Sequence, residues 1–119
     1  RPGRTDVRIT RHADAVPYTA PMHTGVDTRR LQGLEAGPSE NFWVGLSVYP
    51  PGGIAESSPT RAETAYVVLD GELTLTCEGQ HTLRKHDSVH FGPGETRELV
   101  NASDHDATML VIIAYPKQS

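Results

Sequence analysis

The sequence predicts an all-β fold in a single domain, and three observations carry that prediction. From Asn41 onward, short runs of β-branched and aromatic residues alternate with turn signals every eight to twelve residues, the pattern of a sandwich or barrel. No segment shows a convincing helical period. A chain of 119 residues suits one compact core and leaves no room for two.

The elements follow in order. Residues 1–40 are polar and interrupted by Pro2, Pro17, Pro21 and Pro38, so they read as an ordered arm with one short strand at 7–9. Val16, Tyr18, Met22 and Leu31 give this arm apolar anchors. Residues 41–119 form the barrel. Its first strand is 42–49, ended by Pro50-Pro51-Gly52-Gly53. Residues 64–69 and 72–77 flank Asp70-Gly71, a dipeptide that predicts a hairpin. Leu73, Leu75 and Cys77 fall on one face of the second of these strands and Thr74 and Thr76 on the other, the period of a half-buried strand. A turn at Glu78-Gly79 leads into 81–84. Residues 88–91 end at Gly92-Pro93-Gly94, and 96–101 and 107–115 complete about eight strands. Closing such a sheet, or folding it into a jelly roll, removes exposed edges.

Composition excludes several function classes. The formal charge is −4 with acidic and basic residues interspersed, and the pairs Arg29-Arg30 and Arg84-Lys85 are too short for a basic patch, so no nucleic-acid partner is expected and both pairs read as solvated. The longest apolar stretch is the strand-sized run 109–114, so no membrane partner is expected. The single cysteine, Cys77, reads as a small buried hydrophobe, and its solitude fits a reducing, cytoplasmic location. Asn101-Ala102-Ser103 matches a glycosylation sequon of little diagnostic weight.

The order of punctuation resembles the cupin family. Pro51-Gly52-Gly53 followed by Ala65-Tyr66-Val67-Val68-Leu69-Asp70-Gly71-Glu72-Leu73 is similar to the first cupin motif. His86-Asp87-Ser88-Val89-His90-Phe91-Gly92-Pro93-Gly94, ending at Asn101, is similar to the second. The likeness covers roughly residues 42–115 and implies the cupin double-stranded β-helix, a jelly-roll barrel. In that family the two motifs carry a His, His, Glu, His metal set. Counted by the family spacing, those positions hold Ser58, Thr60, Thr64 and Arg97; a one-residue slip brings in Glu63 and still supplies one ligand. Arg is a cation with no acceptor, so it repels a metal and favours an anion. His86 and His90 are about 13 Å apart along an extended strand, too far to share one ion. The expectation is a cupin with no metal and no other cofactor.

Period-two alternation points Tyr66 and Val68 inward with Thr64, and Leu99 inward with Arg97. Trp43 and Tyr49 share one face of the first barrel strand, opposite Phe42, Val44 and Leu46. The candidate substrate-binding residues are Arg97, Ser58, Thr60, Thr64 and Trp43, with Arg97 the anchor because its planar fork pairs with a carboxylate. Candidate acids and bases are Glu56, which precedes Ser58 near the mouth, Tyr66 and His90, whose inward or outward direction the sequence leaves open. The structural alternatives are a surface ion pair for Arg97, core packing for Tyr66 and an ordinary strand histidine for His90. The first functional expectation is a cofactor-independent isomerase, cyclase or lyase acting on a small polar or carboxylate-bearing metabolite. The second is a non-catalytic small-molecule-binding or sensor module, and the third a metal-dependent cupin with non-standard ligands. The apolar residues of the arm predict a homodimer that pairs by sheet edges or by strand exchange.

Overall fold

The computed structural model describes residues 7–116. The arm holds β1 (Val16–Pro17), β2 (His23–Thr24) and β3 (Asp27–Gln32), with one-turn 3-10 helices at His12–Asp14 and Leu34–Ala36. The remaining strands are β4 (Phe42–Tyr49), β5 (Ile54–Pro59), β6 (Thr64–Asp70), β7 (Glu72–Thr76), β8 (Gln80–Arg84), β9 (Ser88–Phe91), β10 (Thr96–Val100) and β11 (Ala107–Ala114). They form two antiparallel sheets, ordered β1-β3-β4-β11-β6-β9 and β2-β5-β10-β7-β8. This is the all-β two-sheet barrel that the sequence predicts.

Three expectations change. Residues 7–9 form no strand; the arm instead lends β1 and β3 to the six-stranded sheet and β2 to the other. The arm packs on the barrel by this pairing, with β3 against β4 from Asp27↔Val48 to Gln32↔Val44. Residues 54–59, which the sequence pattern assigns to no strand, form β5. Asp70-Gly71 is not a hairpin, since β6 and β7 lie in different sheets. The turn is a corner that passes the chain from one sheet to the other. Gly71 sits at φ 76°, and a Cβ there would stand 2.5 Å from the Asp106 carbonyl oxygen, so the corner requires glycine. The tight hairpin lies one turn later, where β7 pairs with β8 through Glu78 and Gly79, both at positive φ.

Alternation decides what each sheet buries. Thr64, Tyr66 and Val68 of β6 point inward, as do Leu73 and Leu75 of β7, Leu99 of β10 and Met109 and Val111 of β11. Tyr49, Val68, Leu73, Leu99 and Met109 are each at most 1% exposed. Burying side chains of this size contributes about 1.5–3 kcal/mol apiece. Cys77 is half-buried and packs against this core. Asn101 is also buried. Its amide donates to the Tyr49 and His105 carbonyls, and its side-chain oxygen accepts from the Ser103 N–H and hydroxyl. The sequon asparagine is thus a fully used strut of the 101–105 loop. Among the described residues, no helix is long and apolar enough to cross a membrane.

Candidate functional site: a cavity between the sheets

A cavity of about 630 Å³ opens between the sheets. The arm contributes Tyr18, Met22 and His23; β4 contributes Trp43, Ser47 and Tyr49; Arg97 comes from β10, and Met109 and Val111 from β11. Ser58, Thr60, Arg61, Thr64 and Tyr66 line it from β5, β6 and the segment between them. Among the described residues, no aspartate or glutamate lines it.

Arg97 is the polar centre of this wall and is 9% exposed. Its Nε donates to the Tyr66 hydroxyl at 3.0 Å, and its Nη1 donates to the Glu56 carbonyl at 3.2 Å and to Ser58 Oγ at 3.1 Å. Nη2 makes no hydrogen bond among the described residues. Among the described residues, the guanidinium is therefore oriented by three oxygens, is neutralised by no carboxylate and keeps one terminal nitrogen uncommitted. A cation in this state favours an anion or a polarised oxygen. Tyr66 stacks edge-on against Phe91 at 5.4 Å, which fixes its hydroxyl beside Arg97.

Among the residues anticipated from the sequence, the fold brings Arg97, Tyr66, Ser58, Thr60, Thr64 and Trp43 to the cavity. It does not bring Glu56 or His90. The register of β10 against β5 steps from Arg97↔Ser58 to Leu99↔Ala55, so β5 carries a bulge with an extra residue. Ala55 and Ser58 both lie on the less exposed side, while Glu56 and Ser57 are exposed. Only the backbone carbonyl of Glu56 reaches Arg97. His90 is exposed because Phe91, its neighbour on β9, takes the inward direction opposite Thr64. His90 Nε2 pairs instead with Glu63 at 2.7 Å on the outer face. The acid–base roles expected of Glu56 and His90 have no geometric support.

The donors at the family's metal positions do not fit a divalent ion. Ser58 Oγ accepts from Arg97, Thr60 Oγ1 donates to the Gly92 carbonyl and Thr64 Oγ1 donates to the Ala62 carbonyl. The fourth position is the guanidinium itself, which is positive and offers no lone pair. Among the described residues, no three His, Cys, Asp or Glu side chains converge as a ligand set.

The fold adds two features that sequence reading missed, both from the arm. Arg30, read as solvated, is 8% exposed, with its guanidinium carbon 3.7 Å from the Tyr18 ring centre and 4.1 Å from that of Trp43. It donates to both carboxylate oxygens of Glu35, at 2.9 and 3.4 Å. That hydrogen bonding holds the Glu35 carboxyl below its usual range. This stack ties two cavity-lining aromatics to the arm. Burial pushes the Tyr18 hydroxyl up to about 12, so it stays protonated. The second feature is His23, whose Nδ1 lies 2.7 Å from the Pro21 carbonyl oxygen. Burial first, and also the Arg97 charge, lower its pKa against the raising effect of that carbonyl, which favours the neutral ring. No local signal marked His23, because β2 has two residues and takes its place only by pairing with β5.

Comparison with known proteins agrees with this architecture. The cupin domain family model matches residues 45–113. Beta-D-galactosidase Rv1717 of Mycobacterium tuberculosis is 55% identical over 111 residues, covering 92% of this chain and 96% of that protein. Polyketide cyclase RemF from Streptomyces resistomycificus superposes with a TM-score of 0.80 at 17% identity, over 91% of this chain and 79% of that one. That likeness concerns the fold alone. A sugar phosphate isomerase of the cupin superfamily from Silicibacter pomeroyi gives 0.68 at 25% identity, over 85% and 69% of the two chains. By this domain match, which spans more than half of its residues, the chain belongs to the cupin family.

Proposed function

We propose that this protein is a metal-independent cupin that binds a small carbohydrate or carboxylate-bearing metabolite against Arg97 and acts on it by proton transfer. The observation that carries the reading is the Arg97 guanidinium, fixed by Tyr66, Ser58 and the Glu56 carbonyl in a cavity with no lining carboxylate. The Tyr66 hydroxyl accepts from Arg97 and keeps its own proton for a ligand oxygen. Trp43 and Tyr18 offer apolar faces of the kind a sugar ring packs against. The names of two relatives, a galactosidase and a sugar phosphate isomerase, support a sugar-like ligand.

The probes are D-galacturonate, which has both a carboxylate and a polyol, and D-galactose. Titration calorimetry is expected to show galacturonate bound more tightly than galactose. Arg97→Met is expected to weaken galacturonate by about tenfold or more, the scale of one lost charge-assisted hydrogen bond, with the circular dichroism spectrum unchanged. Undiminished binding by a folded Arg97→Met overturns the reading.

The name of the 55% identical relative favours a second reading, hydrolysis of a β-galactoside. Glycoside hydrolysis ordinarily uses two carboxylates flanking the scissile bond, and none lines this cavity. Release of nitrophenol from p-nitrophenyl β-D-galactopyranoside at a rate above that of an Arg97→Met control favours this reading over the first.

We also propose a homodimer. β1 is an open edge of the six-stranded sheet, and Val16 on it is exposed. A monomeric mass by light scattering at micromolar concentration overturns this.

A further inference from the structure

We infer that His23, supplied by the arm, is the general base of this cavity, and that its substrate is an enolisable carbonyl compound whose developing oxyanion is received by Arg97. The inference rests on the Arg97 reading above and adds the proton-transfer group and the class of substrate.

The geometry begins at the arm. Met22 takes φ 62°, a conformation that side-chain-bearing residues rarely adopt. Such strain persists only where surrounding contacts hold it. Here the Met22 carbonyl accepts from the Glu56 N–H at 2.8 Å, and His23 and Thr24 pair with Ala55 and Ile54. The turn brings the Pro21 carbonyl to His23 Nδ1 at 2.7 Å. A carbonyl only accepts, so Nδ1 carries the hydrogen. In the neutral ring the lone pair is then on Nε2, which has no hydrogen-bond partner among the described residues. His23 lines the same cavity as Arg97 and packs at 6.4 Å from the Tyr49 ring.

The other charged or titratable side chains lining the cavity are Arg61, Arg97, Tyr18, Tyr49, Tyr66 and Tyr115. None is a carboxylate that would hold His23 as imidazolium. Burial and the Arg97 charge lower its pKa further, and burial keeps Tyr18 and Tyr49 protonated. Among the imidazoles and carboxylates anticipated as bases, neither Glu56 nor His90 lines the cavity. His23 does.

The step conserves atoms and electrons. Nε2 takes a proton from the carbon next to the carbonyl. The C–H pair becomes the C=C bond of an enolate, and the carbonyl π pair moves to oxygen, which Arg97 Nη2 and the Tyr66 hydroxyl hold. Return of the proton to the same carbon regenerates substrate. Return to the former carbonyl carbon, with the neighbouring hydroxyl proton passing to the oxyanion, gives the isomeric ketone. No oxidant or reductant is needed.

The test uses 2-keto-D-gluconate, whose carboxylate and carbonyl oxygens are neighbours and can share Arg97 Nη2 and the Tyr66 hydroxyl, in deuterated water, with hydrogen exchange at C3 followed by proton NMR and binding followed by calorimetry. Wild-type protein is expected to bind and to catalyse exchange. His23→Gln is expected to slow exchange by about a hundredfold or more, the scale of a lost general base, while the Kd changes by less than about threefold. Long-range proton–nitrogen NMR at pH 7.5 is expected to show His23 protonated at Nδ1 and bare at Nε2. Binding without exchange, exchange undiminished in His23→Gln, or the opposite tautomer overturns the base assignment and leaves the Arg97 reading standing. Failure of the wild type to bind overturns the Arg97 reading, and this inference with it.

Discussion

Arg97 Nε donates to the Tyr66 hydroxyl at 3.0 Å, across from β10 in one sheet to β6 in the other. The bond joins the two sheets inside the cavity and aims the guanidinium. Tyr66→Phe leaves a buried charged donor without its partner, at a cost of about 1–3 kcal/mol. Ser58→Ala is expected to cost less, because Nη1 retains the Glu56 carbonyl. Urea denaturation of the two variants checks the order; an unchanged midpoint for Tyr66→Phe means that the bond does not stabilise the fold.

Arg30 is held by Tyr18, Trp43 and Glu35 at once. Arg30→Met keeps an unbranched stem and removes the charge and the fork. The expected loss is about 1–2 kcal/mol. Trp43 is the single tryptophan, so its fluorescence in the folded state reports the change directly. Thermal melting gives the energy. Arg30→Lys should fall between the two, since it retains charge without planar stacking.

His23 has a folded pKa below its ordinary 6.5. Near and below 6.5 the unfolded chain binds the proton more readily than the folded one. The contribution of His23 to stability is therefore full above pH 6.5 and falls as pH drops through that value toward the lower folded pKa. Melting temperatures from pH 7.5 to 5 are expected to decline more steeply for wild type than for His23→Gln. Parallel curves would refute the linkage.

Gly71 takes a left-handed conformation at the corner between β6 and β7. A methyl group there meets the backbone of Asp106 at 2.5 Å and Ala107 at 2.9 Å. Gly71→Ala should cost about 2 kcal/mol or more, from the left-handed penalty and the backbone clash together. Gly52, also at positive φ, has open space around its Cβ position, so Gly52→Ala should cost only the conformational part. The difference between the two, read by urea denaturation, separates clash from conformation.

Much of the site was legible because strand alternation is local. Once the family resemblance placed Thr64 and Arg97, the pleat put Tyr66 and Val68 inward with the first and Leu99 inward with the second. Glu56 could not be placed by that logic. The bulge in β5 adds a residue, and the need for it arises from pairing with β10, a strand some forty positions away. His90 was ambiguous because either face of a four-residue strand satisfies the alternation; Phe91 decides it by filling the core.

By itself the sequence determined the strand class, the faces of the long strands and the replacement of the family's ligand positions by Ser58, Thr60, Thr64 and Arg97. The strand class and faces follow from period, turn chemistry and residue type, which a short window contains; the replaced positions follow from the resemblance to the family's motifs. Only the tertiary structure decided that Asp70-Gly71 turns a corner between sheets, that Arg30 is stacked between aromatics and that the arm delivers His23 to the cavity. Each of these depends on which distant strand a segment pairs with, and that choice is set by the closing of the whole barrel rather than by the residues on either side.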